Sequence, residues 1–333
     1  MSVLDRLTDE ERERLRRAAH PDWVSPMLAT LSHEVFSSPE WIYERKLDGE
    51  RCLGFRDGDT VRLWSRNQKL LNAAYPEVVD AVQRHVPSDA VVDGEVVAFE
   101  DGRTSFARLQ PRMQVSDPDE ARRSGVPVFY YLFDVMHLDG HDCTGLPLRT
   151  RKKLLAAAVP FEDPLRLCVH RNTDGEAFHA EACAKGWEGL IAKRADGTYD
   201  GGRSRSWRKL KCVHTQELVV GGFTDPRGSR VGFGALLVGY HDDGDLVYAG
   251  KVGTGFDRQT LHGLRERMGR LERDTSPFAV GDLPSSGVHW IDPELVAQIT
   301  FTEWTGDGRL RHPRFEGLRR DKDPRDVVRE APA

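Results

Sequence analysis

Lys46 has the surroundings in this chain that most suggest chemistry. It lies in the run Tyr43-Glu44-Arg45-Lys46-Leu47-Asp48-Gly49-Glu50-Arg51, of the form K-x-D-G-x-R, directly after the apolar and aromatic stretch Trp41-Ile42-Tyr43, which reads as a strand. A lysine amine can attack the α-phosphorus of a nucleotide only when deprotonated, and its unperturbed pKa near ~10.4 makes that form scarce at neutral pH. Its neighbours must therefore lower that pKa, as a bound metal or other cations would. The same residues would also suit a charged surface turn, for which Asp-Gly is a common signal. The partners such a nucleophile needs decide between the two readings.

A nucleotide must be held by base, sugar and phosphates. No G-x-x-x-x-G-K-[ST] loop is present, so side chains and metal would have to grip the phosphates. Five segments carry suitable groups. Ser65-Arg66-Asn67 offers a guanidinium for phosphate or ribose oxygens. Asp93-Gly94-Glu95 interrupts an apolar strand with two carboxylates, whose burial without a ligand would be costly. Tyr130-Tyr131-Leu132-Phe133-Asp134 supplies a ring that could stack on a purine. Glu188-Gly189-Leu190-Ile191-Ala192-Lys193 puts a carboxylate at a strand start and a lysine further along it. Trp207-Arg208-Lys209-Leu210-Lys211 alternates, so Lys209 and Lys211 share a face that Trp207 and Leu210 need not.

The elements that must position these groups alternate strand and helix up to about Val213. Expected strands are Trp41–Lys46, Cys52–Arg56, Val61–Ser65, Ala90–Phe99, Val128–Met136, Arg166–Arg171, Gly189–Arg194 and Trp207–Cys212. Expected helices are Tyr75–His85, Thr150–Ala158 and Gly175–Lys185, with a capping box at Thr8-Asp9-Glu10-Glu11 opening another to about Ala19. Hairpin spacing at Asp57-Gly58 indicates antiparallel pairing, so the class is mixed α+β rather than a doubly wound parallel sheet. Beyond Val213 the texture becomes β-rich: Glu217–Phe223, Ala235–His241 and Leu246–Val252, a helix at about Asp257–Arg270, then Val288–Ile291 and Val296–Trp304. That pattern fits a small barrel of the OB type, which commonly binds nucleic acid.

With 39% hydrophobic and 30% charged residues, the composition is ordinary for a soluble protein. No apolar run approaches the ~18–20 residues that span a bilayer, and the amino terminus is charged rather than signal-like, so no membrane association and a cytoplasmic, nucleoid-associated location are expected. Cys52, Cys143, Cys168, Cys183 and Cys212 show no C-x-x-C pair and no zinc-like spacing; buried or half-exposed free thiols in a reducing compartment are expected. The net charge of −5 leaves nucleic-acid binding to local clusters. One runs from Arg203 to Lys211 around Trp207, and another from Arg309 to Lys322.

Taken in order, the series K-x-D-G-x-R, S-R, D-G-E, F-D, E-G-x-x-x-K and K-x-K resembles the ATP-dependent DNA ligases of the covalent nucleotidyltransferase superfamily. It is similar in particular to the ligase domain of bacterial non-homologous end-joining ligases. Pro26-Met27-Leu28-Ala29-Thr30-Leu31, Val252-Gly253-Thr254-Gly255-Phe256, Phe301-Thr302-Glu303-Trp304-Thr305, Arg311-His312-Pro313 and Arg320-Asp321-Lys322 extend the likeness over about residues 25 to 325.

The resemblance implies a largely antiparallel-sheet nucleotidyltransferase (adenylation) domain over 25–213 and an OB-fold domain over 214–326, flanked by an amino-terminal helical extension, 1–24, and a frayed tail, 327–333. It further implies that Lys46 takes AMP from ATP as a phosphoramidate. Asp48, Glu95 and Glu188 would serve Mg²⁺ or Mn²⁺, as oxygen ligands suit hard ions. Glu44 and Phe133 would meet the adenine, Arg51 and Arg66 the ribose or phosphate, and Lys193 would also line the nucleotide site. Lys209 and Lys211 would bind the α-phosphate, and Arg320 and Lys322 the leaving pyrophosphate.

The implied partners are duplex DNA with nicks or ends, a Ku-type end-binding protein and a separate repair polymerase, with the chain itself a monomer and a stand-alone catalytic core. An RNA ligase or GTP-using capping enzyme shares the nucleophile loop, and a catalytically idle DNA-end-binding module is the alternative from another class.

Overall fold

The computed structural model describes residues 3–330 apart from His33, Val213, Arg227 and Ser229, with the side chains of Gln114 and His214 also set aside. The chain divides after Cys212 into two compact units.

In the first unit the main strands are β1 (Met27–Ser32), β2 (Trp41–Arg45), β3 (Glu50–Asp57), β4 (Thr60–Ser65), β5 (Asp89–Val97), β6 (Phe129–Leu138), β7 (Leu165–Leu167), β8 (His170–Asn172), β9 (Gly189–Arg194) and β10 (Gly202–Lys211). The longer helices are α1 (Asp9–Arg14), α2 (Pro76–His85), α3 (Leu148–Ala158) and α4 (Gly175–Ala184). They build two sheets. One runs β6-β5-β3-β4, extended beyond β6 by the short strands His141–Asp142 and Arg16–Arg17, with β7 parallel to β6. The other runs β8-β2-β9-β10-β1, in which only the β10–β1 pair is parallel.

Alternation along the strands sends one side chain set to each face. Leu53, Phe55, Val91, Phe133 and Met136 of the first sheet meet Met27 and Trp207 of the second in a core between the sheets. The outer face of the first sheet buries Cys52, Leu63, Val92 and Leu132 against Val78 and Val82 of α2 and Leu154 and Leu155 of α3. The outer face of the second buries Trp41, Tyr43, Leu190 and Leu210 against Phe178 and Ala182 of α4. In α2, Pro76 occupies the first turn, where its missing N–H costs nothing, and Arg84 and His85 fall at the negative end of the helix dipole.

The second unit contains β11 (His214–Thr224), β12 (Leu236–Asp242), β13 (Asp245–Val252), α5 (Arg258–Gly269), β14 (Val288–Phe301) and β15 (Arg314–Leu318). Its antiparallel sheet runs β13-β12-β11-β14, with β15 on β14, around an apolar core that includes Leu218, Val238, Met268 and Ile299.

Several expectations need correction. The capping box at Thr8 is formed, but the helix stops at Arg14 because Leu15 is extended and Arg16–Arg17 pairs with His141–Asp142. Arg166–Arg171 is two strands in different sheets: Leu165–Leu167 follows β6 and His170–Asn172 follows β2. The two strands expected around Val288–Trp304 are one long strand through Phe301, with Pro293 accommodated where the register against β11 shifts. Residues 327–330, expected to fray, are pinned: Val327 is buried, His241 N–H donates to its carbonyl at 2.7 Å, and Gln216 Nε2 donates to the Val328 carbonyl at 3.1 Å. The last three residues of that segment lie outside the described residues. Cys183 and Cys212 are joined by a disulfide, while Cys52, Cys143 and Cys168 are buried free thiols. Spacing alone hid the pairing, since Cys183 sits on α4 and Cys212 just past β10.

Candidate active site

Lys46 directly follows β2 and opens the short segment that leads to β3 in the other sheet. Gly49 is required there, since a Cβ would lie 2.2 Å from the Val96 carbonyl oxygen. Lys46 N–H donates to the Gly189 carbonyl at 2.9 Å, stitching the segment to the start of β9. Gly189 itself has φ 140° and no room for a side chain, with the Leu210 carbonyl oxygen 2.1 Å from a built Cβ. The glycines in K-x-D-G-x-R and E-G-x-x-x-K thus let two sheet ends approach closely and set Glu188 against Lys46.

The Lys46 Nζ donates to Glu188 Oε2 at 2.5 Å, and the two side chains are 19% and 11% exposed. Burial works to lower the lysine pKa, but Glu188, with Asp48 and Glu95, outweighs it and holds the amine above its ordinary value. This corrects the expectation that the neighbours lower it. Asp48 is anchored on the other side, its carboxylate accepting the Phe106 N–H at 3.2 Å. Glu95 lies half-buried opposite Arg51 on the inner face of the first sheet. Elsewhere in this unit, ligand atoms of His179, Cys183 and Cys212 lie within 4.8 Å of one another.

On the second sheet, Glu44 pairs in register with Ile191 and Ile191 with Lys209, so the three share a face. Lys211 lies opposite Gly189 and Trp207 opposite Lys193 on that same face, so Trp207 does accompany Lys209 and Lys211. Glu44 is buried between Lys152 and Lys193, paired with the first and 2.7 Å from the second. Burial would raise its pKa, but the two ammonium groups win and lower it. Lys193 goes the other way: burial, helped by the positive charge of Lys152, outweighs Glu44 and lowers its pKa.

Phe133 is placed by a bulge in β6, where Asp93 pairs Asp134 and Gly94 pairs Leu132, leaving Phe133 as the extra residue turned toward the second sheet. Its ring has the Lys193 Nζ at 4.1 Å and the Arg51 guanidinium at 4.7 Å from its centroid. Arg51 is held by Asp93 through Nε to Oδ1 at 2.6 Å and Nη2 to Oδ2 at 2.5 Å, and the Tyr199 hydroxyl donates to the same Oδ2 at 2.6 Å. Asp93 therefore has its burial offset by protein groups rather than a ligand. Arg66 is half-buried in the turn after β4.

Sequence reasoning missed Arg151 and Lys152. Arg151 is fully buried with Nε on Asp134 Oδ1 at 2.7 Å and Nη2 on Oδ2 at 3.0 Å. Lys152 adds to its Glu44 pairing bonds to the carbonyls of Phe133 at 3.3 Å and Cys168 at 3.1 Å. A signal existed: Leu148, Arg151, Lys152 and Leu155 follow the i, i+3, i+4, i+7 period of the buried helix stripe.

In the second unit Arg320 is exposed, while Lys322 Nζ lies 3.4 Å from Glu217 Oε1. Asp321, nearly buried, accepts Arg319 Nη2 at 2.7 Å and Nε at 2.9 Å. Burial would raise the Asp321 pKa, but Arg319 and Lys322 bring it below the ordinary value.

Comparison with known proteins gives this arrangement a family. Residues 26–211 match the ATP dependent DNA ligase domain and residues 229–322 the ATP dependent DNA ligase C terminal region. The chain is 37% identical over 318 residues to the multifunctional non-homologous end joining DNA repair protein LigD of Mycobacterium tuberculosis, covering 93% of this chain and 40% of that protein. It is 37% identical over 321 residues to LigD of Pseudomonas aeruginosa, covering 94% of this chain and 37% of the relative. The chain thus spans about two fifths of the length of these curated relatives. A solved structure of mycobacterial DNA ligase D complexed with ATP and MES superimposes with a TM-score of 0.66 at 36% identity, over 92% of this chain and 98% of that one. With both ligase regions matched in order, the chain belongs to the ATP-dependent DNA ligase family.

Proposed function

We propose that this chain seals nicks or breaks bearing a 5′-phosphate and a 3′-hydroxyl in duplex DNA, through a covalent adenylate on Lys46. The observation that carries this reading is the partly buried Lys46, joined to Glu188, on the face that also bears Glu44, Lys193, Lys209 and Lys211. In the first step the Lys46 nitrogen bonds to the α-phosphorus of ATP as the bond to pyrophosphate breaks. AMP then passes to the 5′-phosphate, and the 3′-hydroxyl displaces it.

Lys46 must lose a proton to attack, and in the absence of ligands Glu188 keeps it charged. The oxygen donors Asp48, Glu95 and Glu188 would suit Mg²⁺ or Mn²⁺, hard ions that take one or two carboxylates and complete their shell with phosphate and water. Such an ion, when bound, supplies positive charge at the phosphates. A Glu188 carboxylate engaged by such a cation would hold the Lys46 proton less strongly, and burial would then favour the neutral amine. Lys209 and Lys211 would neutralise the α-phosphate, and Arg320 and Lys322 would meet the pyrophosphate. Stacking of adenine on Phe133 requires Arg51 or Lys193 to yield a ring face, with Glu44 beside it to read the base edge.

Nicked or broken duplex DNA is the proposed substrate, with Ku-type and polymerase partners in end joining, a monomeric state and a cytoplasmic, nucleoid-associated location as parts of the same reading. Among the described residues no helix is long and apolar enough to cross a membrane. The test is sealing of a nicked duplex in parallel with ATP and GTP, on DNA and RNA strands: ATP-dependent sealing of DNA supports the proposal, and GTP use or RNA-only sealing contradicts it.

A further inference from the structure

The side chains His179, Cys183 and Cys212 meet behind the second sheet, on the face away from Lys46. His179 and Cys183 are one helical turn apart on α4, so they project from the same side of it. Cys212 follows the last residue of β10. Both ring nitrogens of His179 lie 3.7 Å from Cys183 Sγ, and Nε2 lies 3.8 Å from Cys212 Sγ. All three side chains are half-buried, within reach of solvent but backed by protein.

We propose that in the reduced protein these three residues bind a thiophilic divalent cation of the zinc class, and that the Cys183–Cys212 disulfide is the oxidised, metal-free form of the same site. Zinc–sulfur bonds near ~2.3 Å and zinc–nitrogen bonds near ~2.0 Å at tetrahedral angles place ligand atoms roughly 3.5–3.8 Å apart. One nitrogen, His179 Nε2, already has that spacing to both sulfurs, 3.7 Å to Cys183 and 3.8 Å to Cys212, and reduction frees the sulfurs to part. The ligating nitrogen is therefore Nε2, and the neutral ring carries its proton on Nδ1. Three protein ligands leave the fourth position to water.

The chemistry balances with a dithiol or phosphine reductant. Two electrons and two protons open the disulfide to two thiols while the reductant is oxidised, and cation binding then releases the two thiol protons to solvent. The other cysteines do not compete. Cys52, Cys143 and Cys168 are buried, and burial pushes the Cys143 and Cys168 thiols up to about 12, far from the thiolate a metal needs. Either closure, covalent or metallic, ties α4 to the strand end that carries Lys211.

The test uses the full chain, reduced with a phosphine and kept anaerobic, titrated with Co²⁺ and then Zn²⁺. One equivalent of Co²⁺ should produce a thiolate-to-metal charge-transfer band that Zn²⁺ abolishes, and the oxidised protein should show none. Zn²⁺ should also raise the melting temperature of the reduced protein but not of the oxidised protein. The Cys183→Ser and Cys212→Ser variants should lose the band. His179→Gln, which can still form the disulfide and so reports its own folding, should weaken binding by roughly tenfold or more. No band in the reduced protein, or a band that survives in the two serine variants, would overturn the proposal.

Discussion

The fork between Arg51 and Asp93 joins β3 to β5 beneath the Phe133 ring, so removing its negative half is a stringent perturbation. Asp93 is fully buried and accepts two bonds from Arg51 and one from Tyr199, while the Arg51 side chain is only 17% exposed. Asp93→Asn removes the charge and aims an amide N–H₂ at groups that are themselves donors, leaving a guanidinium in a largely dry site. Breaking such a pair costs about 3–5 kcal/mol, a large share of the ~5–15 kcal/mol that holds a domain folded. With a urea slope of ~2–3 kcal/mol/M, the midpoint of the first unit should fall by about 1–2.5 M. The double replacement Arg51→Met with Asp93→Leu should lie closer to wild type than Asp93→Asn, because no charge is orphaned. It should nevertheless lose ATP labelling if Arg51 serves the nucleotide. The assay is urea unfolding of the whole chain, with the transition of the first unit assigned by fluorescence. A shift under about 0.3 M for Asp93→Asn, or a double variant as damaged as the sum of its singles, would refute this reasoning.

The carboxylate of Glu188 raises the Lys46 pKa, so Glu188→Gln should lower it in metal-free protein, read from the pH dependence of amine modification. The same variant should lose at least tenfold in labelling by ATP if Glu188 also serves the metal; an undiminished rate across a Mg²⁺ and Mn²⁺ titration would remove that role. In the second unit the folded-state pKa of Asp321 is depressed. Its contribution is therefore complete above the unfolded value near ~3.9 and is lost as pH falls through the lower folded value. Melting curves from pH 5 down to pH 2 should show wild type losing stability faster than Asp321→Asn below about pH 4. Finally, Ala at Arg320 or Lys322 should cripple self-adenylation yet spare sealing of DNA that already carries a 5′-AMP cap; equal loss of both activities would assign the pair to DNA binding or stability.

Strands with a clear period of two were legible from sequence, as was the hairpin at Asp57-Gly58, where Asp57 pairs Thr60 across Gly58 with φ 57°. Alternation also put Lys209 and Lys211 on one face of β10, where they lie opposite Ile191 and Gly189. Properties set by tertiary partners were hidden. The switch of Arg166–Arg171 between sheets depends on which neighbour each half finds, and the bulge that turns Phe133 inward depends on register with Asp93. Arg151 and Lys152 were missed because their acceptors, Asp134 and Glu44, come from other elements. The disulfide depends on α4 crossing the end of β10, and the direction of the Lys46 shift on a carboxylate far along the chain.

The central claim is that Lys46 carries AMP on its way to DNA. Incubation with α-labelled ATP and a divalent metal, followed by a chase with nicked duplex, tests it directly. Wild type should become covalently labelled and lose the label as nicks are sealed. Lys46→Ala and Lys46→Arg should remain folded and unlabelled, since alanine has no amine and arginine cannot deprotonate. Persistent label on either variant, or label that the nicked duplex fails to discharge, would contradict the account.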